Sequence, residues 1–234
     1  MSQTETKVIM KKTVFVLTTG VLAAGSLASC GSNLGGTMGV GALQNLLFNA
    51  SSQGFNILGN PQEFMTNALI ESAMPEELRK VNNTLESVGL GNLVKKEKQY
   101  IAEAAKLTVN TSKPIVTQAI REMTVTDAIN IASGGKGAAT AYLKNKTREK
   151  LMSAIQPQVD AKLNEYGIVK SVNTALSGSS ISGILGTILG TDKKNNVNAA
   201  SPITRLASEQ MVNGLFYVIE NYEVNNVTNP NAWK

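Results

Sequence analysis

NLVKKEKQYIAEAAKLTVNTSKPIVTQAIREM, residues 92–123, is the longest amphipathic pattern in the chain. Ile101, Ala104, Ala105, Leu107 and Thr108 recur at short helical spacings, and Ile115, Ala119 and Ile120 continue the stripe. That period matches the 3.6-residue turn of an α-helix, with one apolar face and one face for the lysines and glutamates. Pro114 interrupts it. A mid-helix proline removes one backbone hydrogen bond and crowds the preceding turn, which predicts two helices or one bent helix.

The flanking segments repeat the pattern. Towards the amino terminus, Val40–Leu58 is helix-like at first and loosens at Ser51, Ser52 and Gly54. Asn60-Pro61 signals a turn or helix start, and Phe64, Ala68 and Leu69 are spaced for one face of a short helix. Pro75 opens another helix where its missing N–H costs nothing; Leu78, Val81, Leu85 and Val88 form its face, and Gly89 stops it. Towards the carboxyl terminus, Thr124-Val125-Thr126-Asp127 has the shape of a capping box, with Asp in place of the usual Glu or Gln. Ala128, Ile129 and Ile131 follow, and Gly134-Gly135 ends that helix. A further helix starts at Ala138; Met152, Ile155, Val159, Leu163 and Tyr166 mark its face, with Pro157 inside it and Gly167 at its end. The last strong pattern runs from Pro202, behind the N-cap Ser201, to Glu223. Residues 225–234 are Asn-rich, read as a loose tail, and hold Trp233. No stretch alternates with period two and no repeat of fixed length is visible. The fold class is all-α, a single-domain multi-helix bundle over residues 42–224.

Composition agrees. Hydrophobic residues make up 42% of the 234 and aromatics only 5%, so Ala, Leu, Ile, Val and Met must build the core. The formal net charge is +5. Without residues 1–29, which contain Lys7, Lys11 and Lys12 against Glu5, 19 basic and 16 acidic residues remain. That excess is small and dispersed, which argues against a nucleic-acid partner. One cysteine and no histidine exclude internal disulfides, Ser–His–Asp and Cys–His catalysis, and His-ligated metals. No cofactor and no metal site is expected.

Residues 1–29 read as a lipoprotein signal peptide. The three lysines form a positive start, and TVFVLTTGVLAAGSL, residues 13–27, is apolar. It is shorter than the roughly 20 residues a membrane-spanning helix needs. Leu27-Ala28-Ser29-Cys30 resembles a lipobox, predicting cleavage between Ser29 and Cys30 and lipid attachment, including an acyl chain such as palmitate, on Cys30. More than one chain makes such an anchor stable. Residues 30–41, the Cys and a Gly-rich, uncharged run, read as a flexible tether. Gly31 replaces the Asp of the familiar inner-membrane retention signal. The expectation is an outer-membrane lipoprotein facing the periplasm.

Three blocks, Pro75–Val94, Ala119–Thr147 and Ser208–Ile219, resemble a bacterial family known as domain of unknown function 4197. The block from Met123-Thr-Val-Thr-Asp-Ala-Ile through Gly134-Gly135 to Ala138-Ala139-Thr140-x-Tyr142 is the most specific, and Lys146-Thr147 extends it. The resemblance covers roughly residues 43–223. Lys136 stands where many relatives carry Asp, and residues 176–200 look unlike the family's usual helical stretch. The resemblance implies a helical fold and an envelope setting, and no particular activity.

Candidate binding residues lie in that block: Thr126, Asp127, Gly134, Gly135, Lys136, Thr140, Tyr142, Lys146 and Thr147. Ser133-Gly134-Gly135-Lys136-Gly137 invites a phosphate-loop reading but lacks the first Gly, which falls on Asn130, and the final Ser or Thr. A helix C-cap followed by a new helix start is the plainer reading. Backbone N–H groups after Gly137 could still hold a phosphate or carboxylate, with Lys136 assisting. Thr140, Tyr142, Lys146 and Thr147 could form a polar recognition site, or simply serve local hydrogen bonds and capping. Leu176–Gly190 is apolar and Gly-rich, either core packing or a partner- or membrane-facing segment beside Lys193-Lys194. Glu209, Glu220 and Glu223 on the last pattern read as a solvated face, although a carboxylate pair can in principle do acid–base work. The expected function is a lipid-anchored binding or scaffold protein with a protein partner or an apolar ligand; the alternative is a hydrolase or transferase acting on an envelope lipid or glycan.

Overall fold

A computed structural model describes residues 39–177 and 201–226. The signal peptide, Cys30, most of the tether, the Gly-rich stretch from residue 178, Lys193-Lys194 and Trp233 lie outside the described residues. Within them the chain is helical throughout: α1 (Val40–Gly59), α2 (Pro61–Thr66), α3 (Ala68–Ser72), α4 (Glu76–Ser87), α5 (Gly91–Arg121), α6 (Val125–Gly134), α7 (Ala138–Glu165), α8 (Ile168–Ser177) and α9 (Pro202–Asn226). None is long and apolar enough to cross a membrane.

The long helices α5 and α7 pack along each other. Gln158 Nε2 donates to Thr111 Oγ1 at 2.7 Å, Tyr142 Oη meets the Ala119 carbonyl at 3.5 Å, and the Tyr100 and Tyr166 rings stack at 3.8 Å between centroids. As α7 numbers rise the α5 partners fall, so the two run antiparallel. Both continue through their prolines, Pro114 and Pro157. The Gln158–Thr111 bond puts those prolines within about one turn of each other. Residues 92–123 thus hold one helix, because packing along α7 outweighs one lost backbone bond.

Helix α9 lies against α1, α3 and α7 and buries Leu206, Met211, Leu215, Phe216, Val218 and Ile219. Each such side chain contributes about 1.5–3 kcal/mol when fully buried. Two glycines let the helices approach. A Cβ on Gly54 of α1 would stand 2.6 Å from Leu215 Cδ1, and one on Gly214 of α9 would stand 2.6 Å from Ile70 Cδ1. This corrects the expected loosening of α1: Ser51 and Gly54 are buried, and α1 runs on unbroken. Their small size serves the helix crossing and does not end the helix.

Other differences are local. The short helix expected around Phe64–Leu69 is split at Asn67, whose side chain accepts from the N–H groups of Leu69 and Ile70 and caps α3. Pro75 is the N-cap of α4 and not its first turn. Val88, Leu107 and Ile129, placed on apolar faces by spacing, are exposed. The capping box at Thr124 and Asp127 and the Ser201 cap are as expected.

The core also holds an acid. Glu97 on α5 is 1% exposed, and neither of its carboxylate oxygens has a hydrogen-bond partner. Asn82 on α4 is buried beside it and equally unpartnered. Burial pushes the Glu97 carboxyl up to about 7; Asn82 and Lys98 oppose that rise and Glu71 adds to it. Asn82 is near enough to offset part of the rise, although the two side chains do not meet in hydrogen-bond geometry.

Candidate functional site

The site is built around the α6–α7 junction. Thr124 Oγ1 accepts from the Asp127 N–H at 3.1 Å. Asp127 Oδ2 accepts in return from the Thr124 N–H at 2.9 Å and from its hydroxyl at 2.7 Å. These bonds, the backbone one foremost, hold the Asp127 carboxyl below its ordinary range, with Lys146 and Tyr142 adding to the effect. At the other end of α6, Gly135 and Gly137 take φ values of 80° and 81°, a region that strains any side-chain-bearing residue. They turn the chain so that α7 packs against α6.

A cleft of about 220 Å³ opens between α5, the capping box and α7. Helix α5 contributes Ile115, Gln118, Ala119 and Glu122. The α5–α6 turn and α6 contribute Thr124 and Asp127, and α7 contributes Tyr142, Lys146 and Lys150. Gln118 Nε2 donates to Glu122 at 2.8 Å. Lys146 Nζ stands 5.6 Å from the centre of the Tyr142 ring, within cation–π range. The Tyr142 hydroxyl is pushed up by partial burial first and by the charges of Asp127 and Glu122 second, so it stays a neutral donor. Asp127 and Tyr142 also border a second groove of about 450 Å³, where Asn130, Gly134, Lys136 and Asn145 appear.

The predicted residues therefore divide. Asp127, Tyr142 and Lys146 converge on the first cleft, and Asp127, Gly134, Lys136 and Tyr142 on the second. Thr126 is exposed and lines neither; Gly135 serves the turn. Thr140 and Thr147 point into the core, where the Thr147 hydroxyl donates to the Leu143 carbonyl at 2.7 Å. Sequence reading missed Gln118, Glu122, Thr124 and Lys150 as cleft residues. Lys150 was within reach, since it lies one turn beyond Lys146 and two beyond Tyr142 on the same face of α7. Gln118 and Glu122 needed the α5–α7 register, which no single segment encodes.

The possible anion site after Gly137 is real in geometry but filled from within. Glu223 of α9 accepts from the Ala139 N–H at 3.0 Å, from the Thr140 N–H at 2.8 Å and from the Thr140 hydroxyl. Its side chain is fully buried, which corrects the reading of Glu223 as part of a solvated face. A carboxylate is favoured there because the first N–H groups of α7 have no partner within the helix and carry its positive dipole end. Lys136 has no part in this contact; it is exposed and faces the outer groove. The Ser133–Gly137 loop joins helix to helix, and its glycines bring the start of α7 to Glu223.

Among the described residues no group of His, Cys, Asp or Glu is placed to hold a metal ion. Asp127, one of the two carboxylates that line the cleft, is ionised and already bonded to Thr124. The arrangement offers charges, a phenol and an amide to a bound molecule. No curated protein and no solved structure matches the chain. A family model described as Protein of unknown function (DUF4197) matches residues 34–233, and the chain belongs to that family.

Proposed function

We propose that the helical domain is a non-catalytic binding module of the cell envelope, tethered by lipid on Cys30, and that it takes a polar ligand in the cleft between α5, α6 and α7. The observation that carries this reading is convergence: α6 delivers Asp127 and α7 delivers Tyr142 and Lys146 to one open cleft against α5. Structural side chains elsewhere bond inward, as Thr140 and Thr147 do. Lys150 and Glu122 face solvent across the cleft and make no ion pair with each other. The charged and hydrogen-bonding groups that line the cleft suit a charged or hydroxylated ligand better than the apolar ligand that was one of the sequence expectations. Acid–base chemistry has less support, because Asp127 is held ionised by its cap and so is a poor proton donor.

The test is native mass spectrometry of the purified protein after incubation with the low-molecular-weight fraction of its own cell envelope. A bound small molecule is expected, and Tyr142→Ala/Lys146→Ala should lose it. A clean apo mass, or a ligand that the double variant retains, overturns the reading. The tether is tested separately: palmitate labelling that survives Cys30→Ala removes the anchor.

A further inference from the structure

The cleft is charged in order along its length. The antiparallel register sets Tyr142 against the Ala119–Glu122 end of α5 and carries Lys150 towards Ile115. Glu122 follows Ala119, whose carbonyl meets the Tyr142 hydroxyl, by three residues, and Asp127 lies just beyond at the start of α6, so the two acids share one end. Lys150 stands at the other end, two helical turns along α7, and Lys146 lies between them over the Tyr142 ring. Eight residues of helix separate Tyr142 from Lys150, about 12 Å at 1.5 Å per residue. Ile115 and Ala119 give the groove an apolar strip on the α5 side.

We propose that this cleft takes a short extended peptide of three or four residues with both ends free, its ammonium at Glu122 and Asp127 and its carboxylate at Lys150. The proposal rests on the binding reading above and names its ligand class. A chain in extended conformation covers about 3.3–3.6 Å per residue, so three or four residues match the roughly 12 Å of helix from Tyr142 to Lys150. Tyr142 and Gln118 line the same groove; the Gln118 Nε2 is engaged by Glu122, which leaves its amide oxygen to accept from a peptide N–H. Small side chains fit best, because the groove holds only about 220 Å³. A free phosphate satisfies Lys146 and Lys150 but leaves the acidic end unused.

The experiment is isothermal titration of the purified protein with trialanine, N-acetyl-trialanine, trialanine amide and inorganic phosphate at low salt, where exposed charges are least screened. Trialanine is expected to bind, and blocking either end should weaken it about tenfold, the value of one charge contact near 1.4 kcal/mol. Lys150→Glu should abolish the preference for the free acid over the amide; Glu122→Lys should abolish the preference for the free amine over the acetylated end. Both positions are exposed, so neither change threatens the fold. No trialanine binding, binding indifferent to blocked ends, or phosphate binding as tightly as trialanine overturns the proposal. If trialanine fails while an envelope molecule still binds and is lost with Tyr142→Ala/Lys146→Ala, the ligand class alone is wrong. If both fail, the binding reading falls with it.

Discussion

Glu223 and Glu97 are both buried, and their surroundings are opposite. Glu223 meets two backbone N–H groups and a hydroxyl at the start of α7. Glu97 meets none, and the buried amide beside it is also unpartnered. A buried carboxylate with donors locks two helices together, whereas one without donors is a cost the surrounding core must offset. Only the first contributes to the position of the candidate site, because it fixes the end of α7 from which Tyr142 and Lys146 project.

The largest expected effect is at Glu223. Glu223→Ala leaves two N–H groups and the Thr140 hydroxyl unsatisfied in the core and opens a cavity. Urea denaturation should show a loss of about 3–5 kcal/mol, the cost of stranding a buried polar partner. A loss under 1 kcal/mol would mean that water replaces the carboxylate and that the two acids differ less than their contacts indicate.

At Glu97 the sign reverses. Its carboxyl is raised from 4.5 to about 7 in the folded protein. Below pH 4.5 both folded and unfolded chains hold it protonated, and it has no effect. As pH rises from 4.5 to 7 the unfolded chain releases the proton and the folded one keeps it, so stability falls across that window and levels off above it. The full drop is on the order of 3 kcal/mol at 1.36 kcal/mol per unit. Glu97→Gln should therefore be more stable than the parent at pH 8 by about 2 kcal/mol and should lack the slope between pH 4.5 and 7. An unchanged slope in paired denaturation curves would show that Glu97 is not its source.

The sequence carries a mark at both acids without telling them apart. Glu97 sits three residues after Val94 and four before Ile101, and Glu223 sits four after Ile219 and eight after Leu215. Each stands at the spacing of an apolar stripe, yet a carboxylate there reads as part of a solvated face, as Glu223 did, and its burial needed the tertiary packing. Their partners were no more legible. The donors to Glu223 lie more than 80 residues away, and the lack of donors at Glu97 depends on how α4 crosses α5. The same divide holds across the molecule. Caps and stops at Asn60, Thr124, Gly135 and Ser201 are local chemistry and read directly. Gly54 reads as a breaker until Leu215 is seen against it. Asp127, Tyr142 and Lys146 were found because they share one short block, while Glu122 and Gln118 entered the cleft only through tertiary register.

The smallest expected effect is at the mouth of the cleft, where an exposed carboxylate is satisfied by its own helix start. Thr124→Ala removes the hydroxyl that accepts from the Asp127 N–H and donates to its carboxylate. An N-cap of this kind contributes about 1 kcal/mol, and solvent can replace part of it because Thr124 is exposed. The loss should therefore be about 0.5–1 kcal/mol, well below that at Glu223 although both acids bond to a helix amino terminus. Asp127 loses a hydroxyl bond and one of the bonds that keep its carboxyl low, so its titration, followed by carbon-detected NMR, should move upward towards the ordinary value. A stability loss as large as that of Glu223→Ala would show that the α6–α7 hairpin unfolds as a unit when its cap is lost. An Asp127 titration that does not move would assign its low range to Lys146 and Tyr142, and so to the cleft itself.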